Sequence, residues 1–509
     1  MIKFILRRLG ISFLILLGGS LLMFVLTINS GDPLEDLRES TSENRDNLIA
    51  QRITTMRLDD PWYERYGSWL AGVSRCVVGA CDLGVNRAGV DVSSLLANAA
   101  SATLRLVLLS TILAIVIGIG IGFGILTAIR QYSGFDYIVT FLAFMFFSLP
   151  VFWAAVLLKE YGAIRFNDWI ASPDMSVLTI LLVAVVVGLV VQGMLGGDAR
   201  RRLLTGGGAF LLVFAAMFYF DAVNWYRQPA IGIGVVVLAA AGAAVLLTSL
   251  STGLGNRKVL YAALTTVAAG VVVYLVLNGA LAEPTWLVLA GLLALLILVG
   301  VVSGFFWGGY SRRLAIWVSV GTGVIMTGLI VADKALSAWG GYLDVIRNGR
   351  PIATIGAETP NFNGTFWQEF LDKGTQLILP TVLLTLISVA SYTRYTRASM
   401  LEVLEQDYVR TARSKGLSER TVITKHAFRN ALIPITTIVA FDFAGLIGGA
   451  VLTETVFGWK GMGELFRTGL EQVDPAPVMA FYLVTGTAAV VMNMLADIAY
   501  AFLDPRIRR

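Results

Sequence analysis

Apolar runs of about 20 residues alternate with short polar turns along most of this chain, and that is the length at which a helix crosses a bilayer. The first run occupies about Leu9 to Thr27, behind Lys3, Arg7 and Arg8. It is long for a secretory signal and no small-x-small cleavage site follows, which predicts an uncleaved first span with its start inside. A second run covers about Ala102 to Ile129, and a third about Tyr137 to Leu158, where Pro150 predicts a kink. Six more lie near 176–195, 206–221, 230–249, 259–281, 285–307 and 314–332. The last three cover about 376–393, Leu432 to Leu452, and 478–503. Long polar stretches interrupt the pattern at 29–100 and 333–375.

The pattern predicts an all-α polytopic membrane protein, and composition agrees. Only 14% of the 509 residues are charged and 56% are apolar, against about 25% charged in soluble domains. Net charge is a modest +5, and where the cations sit matters more than their sum. Arg200, Arg201 and Arg202 fill one turn, Arg257 and Lys258 another, and Arg312 and Arg313 a third, while the turns between hold Arg227 or no basic residue. By the positive-inside rule, 29–100 and 333–375 then face outside, and the polar stretch around 397–434 faces inside. Cys76 and Cys81 share the first outside stretch, which permits either a small local disulfide or two free thiols. Gly118, Gly120, Gly122 and Gly124 allow close helix approach, or reflect glycine's frequency in membrane helices. No nucleic-acid signature is present, and the one histidine, His426, has no ligand partners in sequence.

The stretch from Arg397 to Pro434 is the most distinctive. It is polar, basic and glycine-broken between two apolar runs. Leu401, Leu404, Tyr408 and Ala412 recur at helical spacing and predict a first helix with one narrow apolar face. Gly416 can take the left-handed conformation that ends it, beside Lys415, and Ser418 can cap a second helix running toward Pro434. Such a hairpin, tied at both ends to membrane helices, either transmits movement from a soluble partner or is an interfacial loop held by charge. Walker, Rossmann, GxSxG and HExxH patterns are absent, so any ATP-driven work falls to another chain. Asp442 is the clearest ionisable residue within a span, and either lines a polar pathway that attracts a cationic group or is bonded inside the helix bundle. Gly445 and Gly449 add a GxxxG step on its helix, which predicts tight packing, including against a partner subunit.

Several of these pieces resemble one family in the right order. DYVRTARSKGLSERTVITKHAFRNALIP (Asp407 to Pro434) is similar to the coupling segment of ABC importer permeases of the oligopeptide/dipeptide class, which includes nickel and glutathione permeases. The N-terminal RRLG and GDP (Gly31 to Pro33), LDDPWYERYGSWL (Leu58 to Leu70), SLPVFW (Ser148 to Trp153), RASMLEVLEQDY (Arg397 to Tyr408), ETVFGWKGMGELF (Glu454 to Phe466) and LDPRIR (Leu503 to Arg508) agree, and look like the first of two paired permeases. The resemblance covers about 1–160 and 376–509. It implies a type I importer fold with six core helices, to which this chain adds about six helices at 175–333. The layout is then a first helix (1–28), an extracytoplasmic lobe (29–100), core helices two and three (101–160), the insertion, a second extracytoplasmic segment (334–375) and a core module (376–509).

The resemblance also implies partners: a second homologous permease, two cytoplasmic ATPases that bind the ATP and magnesium, and an extracytoplasmic binding (lipo)protein. It places the chain in a bacterial cytoplasmic membrane with both termini inside. It assigns ATPase coupling to Asp407, Tyr408, Arg410, Thr411, Ala412, Lys415, Gly416 and Leu417, the pathway to Asp442, Gly445 and Gly449, and binding-protein docking to Glu454, Phe457 and Gly461. In the wider family's EAA-x3-G motif, Gly416 matches the glycine, Thr411 and Ala412 match the alanines, Arg410 stands in place of the acid, and Arg429 in place of the proline. Two rival readings remain open, a self-contained secondary transporter of about twelve helices and an assembly platform whose active part is the insertion. The first lacks the repeat symmetry and coupled mid-membrane charges such proteins carry.

Overall fold

A computed structural model describes residues 2–120, 134–195, 197–346 and 349–503. Among these, all regular structure is helical, with a single isolated bridge between Val85 and Asp91. Among the described residues, ten helices are long and apolar enough to cross a membrane, and an eleventh span is added if one sharply bent helix pair counts as one. The chain is a multi-pass membrane protein. It forms two compact units, one of Met1–Gly162, Thr354–Ala357 and Leu377–Arg509, the other of Ala163–Ala353 and Glu358–Gln376.

In the first unit the opening span is a helix over Ile2–Ile28. The lobe that follows holds short helices at Arg45–Met56 and Trp62–Ser74, and Cys76 and Cys81 are joined in a disulfide that closes the turn after the second. The next helix begins at Val92, ten residues earlier than its apolar run. Asp91 explains the early start, because its carboxylate accepts from the Ser93 and Ser94 N–H groups at 3.3 and 2.9 Å. Gly118 on this helix supports the close approach expected of it, since a Cβ there would lie 2.8 Å from that of Tyr392. Gly122 and Gly124 lie outside the described residues, as do Asp504 to Arg508 of the terminal motif.

Pro150 does more than kink the third run. Helices Asp136–Ser148 and Val151–Ala171 meet at 102°. Proline has no N–H to give, and Leu149 and Pro150 have left helical geometry, so the chain turns instead of bending.

The second unit contains a helix over each of the six inserted runs: Val177–Leu195, Ala199–Ala222, Gly232–Ser251, Arg257–Val276, Trp286–Trp307 and Arg312–Ser337. Small residues let the last two approach closely. A Cβ on Gly304 would meet the Ile316 Cα at 2.5 Å, and one on Gly300 the Ser319 backbone at 2.8 Å. Asp333, 5% exposed, accepts from the Gly232 N–H at 2.8 Å and from the Tyr274 hydroxyl, which pins three helices at one point. The stretch expected to be a separate outside segment belongs to this unit except for Thr354–Ala357. Tyr342 and Trp367 join Ala335 in an apolar cluster, and the Tyr342 hydroxyl donates to buried Asp372 at 3.1 Å.

The run predicted at 376–393 belongs to a far longer helix, Phe366–Leu404, of 39 residues with Pro380 inside it. Its residues up to Gln376 belong to the second unit and those from Leu377 to the first. Beyond the hairpin, helices Phe428–Gly449 and Pro475–Leu503 complete the first unit. Pro434 lies within the first of these, not ahead of it.

Candidate functional site

The long helix ends at Leu404, and Gln406 is extended at φ −68° and ψ 147°. A separate helix of eight residues, Asp407–Ser414, then crosses the hairpin. The predicted stripe of Leu401, Leu404, Tyr408 and Ala412 is therefore split between two helices. The break rotates the second one, so that Tyr408 is exposed and Val409 takes the buried place beside Ala412. Val409 and Ala412 pack on Val422 of the returning chain, with Val403 and Leu404 at their edge. The sequence carried a signal for Val409, which lies three residues before Ala412 on the short helix alone.

Asp407, Tyr408, Arg410, Thr411, Lys415, Gly416 and Leu417 all point outward, and Ala412 holds the helix down from beneath. Gly416 has φ +76°, the left-handed geometry expected of it. Its N–H donates to the Arg413 carbonyl at 2.9 Å and the Leu417 N–H to that of Ala412 at 3.4 Å, closing the helix end. Ser418 occupies the cap position but does not cap, because its hydroxyl pairs with that of Thr421 at 2.9 Å. An ion pair missed from sequence staples the turn instead. Arg413 donates to both Glu419 oxygens, at 2.7 and 3.2 Å, and its guanidinium holds Glu419 below the usual carboxylate range.

The two helices that leave this hairpin run antiparallel and are tied at two levels. Near the hairpin the Ser399 hydroxyl donates to the Ala431 carbonyl at 3.0 Å. Farther along, Ser388 and Tyr392, eleven and seven residues from Ser399, donate at 2.7 and 2.6 Å to one oxygen of Asp442, eleven residues and about 16 Å along its helix from Ala431. Asp442 thus sits half-buried as a bridge between helices, the bonded alternative of the two sequence readings, while its other oxygen accepts nothing among the described residues. Gly445 is exposed, with nothing within 4 Å of a Cβ placed there, so its expected close packing is not made within this chain. Gly449 ends the helix.

A second tie was not foreseen. Arg397 grips Asp136 with two parallel hydrogen bonds of 3.0 Å, and Asp136 is 3% exposed. An acid at the edge of an apolar run was the available signal. Arg397→Ala should cost about 3 kcal/mol, since it takes the guanidinium from a buried carboxylate. The expected result is a lower melting temperature in detergent, partly restored by Arg397→Lys.

The residues assigned to docking are internal. Glu454 is fully buried and Phe457 is 3% exposed. The Glu454 carboxylate accepts from the Thr103 hydroxyl at 2.6 Å and from the Gly463 and Glu464 N–H groups at 2.7 and 3.1 Å. It thereby caps helix Met462–Glu471. Gly461 leaves room for it, because a Cβ there would lie 2.3 Å from its oxygen. The Phe457 carbonyl accepts from the Gly356 N–H at 3.0 Å. Burial closes these three to a docking protein, and the correction is that the motif builds the fold of the segment.

Residues 120–509 match the family model of the binding-protein-dependent transport system inner membrane component. The chain belongs to this family. The family's fold is that of the type I ABC importer permeases. Among curated proteins the chain is similar to the oligopeptide transport system permease protein OppB of Mycobacterium tuberculosis H37Rv, 43% identical over 153 residues, 30% of this chain and 47% of that one. The oligopeptide permease AppB of Bacillus subtilis is 45% identical over 156 residues, 30% of this chain and 48% of that one. A putative peptide permease of Brucella ovis is 34% identical over 233 residues, 44% of this chain and 68% of that one. The chain spans about half the length of the first two relatives.

Proposed function

We propose that this chain is the transmembrane permease subunit of an ATP-driven importer of peptides or related small solutes, worked by ATPase subunits that are separate chains. The observation that carries the reading is the short helix Asp407–Ser414, exposed on its outer face and tied through clamped helices to the membrane. Family membership and relatives named as peptide permeases support it. In this reading the hairpin and both chain ends are cytoplasmic, as the basic turns favour. A second permease completes the pathway, an extracytoplasmic binding protein delivers the solute, and ATP and magnesium are held by the ATPases. Closure of the ATPase dimer pushes the short helix, and the two clamped helices carry that displacement into the bilayer. No residue of this chain is catalytic in such a cycle.

Gly416 gives the test. A β-branched side chain at φ +76° costs about 1–2 kcal/mol, whereas Asn tolerates that geometry. In the assembled, reconstituted complex, Gly416→Val should lower uptake per ATP hydrolysed by about tenfold, with ATP hydrolysis persisting and Gly416→Asn near normal. Normal uptake by Gly416→Val would sink the reading. Uptake by the purified chain alone under an ion gradient would favour a secondary transporter. Deleting 175–333 should leave uptake measurable, and its complete loss in a folded complex would make the insertion the active part.

A further inference from the structure

The lobe after the first span contains a cavity of about 250 Å³ that the transport reading does not use. Its floor is apolar, formed by buried Phe24 from the first span and Leu83, together with Met479 from the last. Arg57 and Arg65 line its wall. Arg57 is occupied, donating to Asp60 at 2.5 Å and to Ser68 at 3.0 Å. The Arg65 side chain is half-buried and makes no hydrogen bond or ion pair among the described residues, though the charges of Asp60 and Asp474 reach it from beyond contact distance. Its guanidinium approaches the Phe24 ring loosely, 5.9 Å from the centroid. Two carboxylates are also on the wall: Asp474 accepts from the Arg87 and Ala476 N–H groups at 2.6 and 3.2 Å, and Asp82 from the Gly84 N–H at 3.0 Å. A guanidinium has five donors in a rigid fork, and a half-buried one without an acceptor is short of a partner with two oxygens.

The depth of the helix that carries Arg65 tells which anion suits it. Tyr66, the next residue, places its hydroxyl 2.8 Å from that of Ser20 and 3.4 Å from the Leu17 carbonyl. Both lie inside the candidate span Gly10–Ile28. Trp62 and Tyr63, one turn earlier, are exposed, and these residue types settle at the headgroup level of a bilayer. Helix Trp62–Ser74 therefore lies along the first span, with its first residues suited to the headgroup level and Tyr66 reaching below it, polar on one side and apolar on the other. We infer that this cavity is a phospholipid site, in which the fork of Arg65 holds the headgroup phosphate while the acyl chains remain in the bilayer. The volume admits a phosphate ester headgroup, and the apolar floor suits the glycerol end of the chains. A soluble phosphate or carboxylate shares the chemistry but has no use for that floor.

The test uses the full chain purified in detergent, with bound lipid counted by native mass spectrometry. Three probes separate the sources: dioleoyl phosphatidylglycerol, dioleoylglycerol, which lacks the phosphate, and soluble glycerol phosphate. The expected result is that wild type retains phosphatidylglycerol, that Arg65→Gln retains about tenfold less, and that Arg65→Lys recovers part of the loss. Dioleoylglycerol should be retained weakly, and glycerol phosphate should compete poorly. Equal retention by Arg65→Gln overturns the proposal, as does retention of dioleoylglycerol equal to that of the phospholipid. Competition by glycerol phosphate at the lipid's own concentration would assign the site to a soluble anion and also overturn it. If Arg65→Gln does not fold, wild type alone decides. Its melting temperature should rise with phosphatidylglycerol and not with dioleoylglycerol, and equal effects overturn the assignment. None of these readouts depends on transport.

Discussion

Glu454→Ala is expected to abolish recovery of folded protein or to lower its melting temperature severely. The fully buried carboxylate accepts from the Thr103 hydroxyl and from two N–H groups at the start of helix Met462–Glu471. Removing it leaves three buried donors without acceptors, each worth about 1–3 kcal/mol. The sum is a large part of the roughly 5–15 kcal/mol that holds a domain folded. Gly461→Ala should act in the same direction by another route, because its Cβ would sit 2.3 Å from the Glu454 oxygen, too close for any contact. Glu454→Gln keeps the shape and should be far milder. It also isolates the charge. Burial pushes the Glu454 carboxyl up, the Thr103 hydroxyl and the two N–H groups pull it down, and Glu464 adds a smaller upward push; the net is upward from 4.5. With the folded value above the unfolded one, this group's stabilising contribution is complete below pH 4.5 and is lost as pH rises through the raised value. The wild-type melting temperature should fall across that window, and that of Glu454→Gln should fall less. A well-folded Glu454→Ala variant with an unchanged melting temperature would show that the segment does not depend on this cap.

The apolar runs were readable because a span needs about 20 apolar residues whatever it packs against. All six inserted helices lie where the runs predict them. Helix ends were less readable, because amphipathic or capped turns extend a helix past its apolar run, as Asp91 does before Val92. Gly416 was legible since its geometry is local. The face of the short helix was not, because a two-residue break at Glu405 and Gln406 resets the phase of the stripe. Nothing local marked Glu454 as a cap. Thr103, one of its partners, is 351 residues away, and the docking assignment came from the resemblance, which carries no information on what a side chain packs against. Asp442 was found as an unusual acid in a span, yet its partners Ser388 and Tyr392 lie on the other side of the hairpin and emerge only from packing.

Those partners lead to the second large effect. Asp442→Ala should lower uptake per ATP hydrolysed by about tenfold, or roughly 1.4 kcal/mol of coupling, with hydrolysis in the assembled complex maintained. The helices entering and leaving the hairpin are tied at Ser399 and Ala431, and again at Ser388, Tyr392 and Asp442. With both ties in place, a push on helix Asp407–Ser414 moves the pair as one lever. Without the far tie, the near one becomes a pivot and the outer ends can part, so the displacement is spent between the two helices. Asp442→Asn separates this role from charge-based attraction of a solute, since the amide oxygen still accepts from Ser388 and Tyr392 but carries no charge. A tie predicts near-normal coupling for Asn, and for the double change Ser388→Ala with Tyr392→Phe a loss like that of Ala. A solute-attracting carboxylate predicts the reverse: Asn as damaging as Ala with a raised KM for uptake, and the double change nearly silent because the charge is still there.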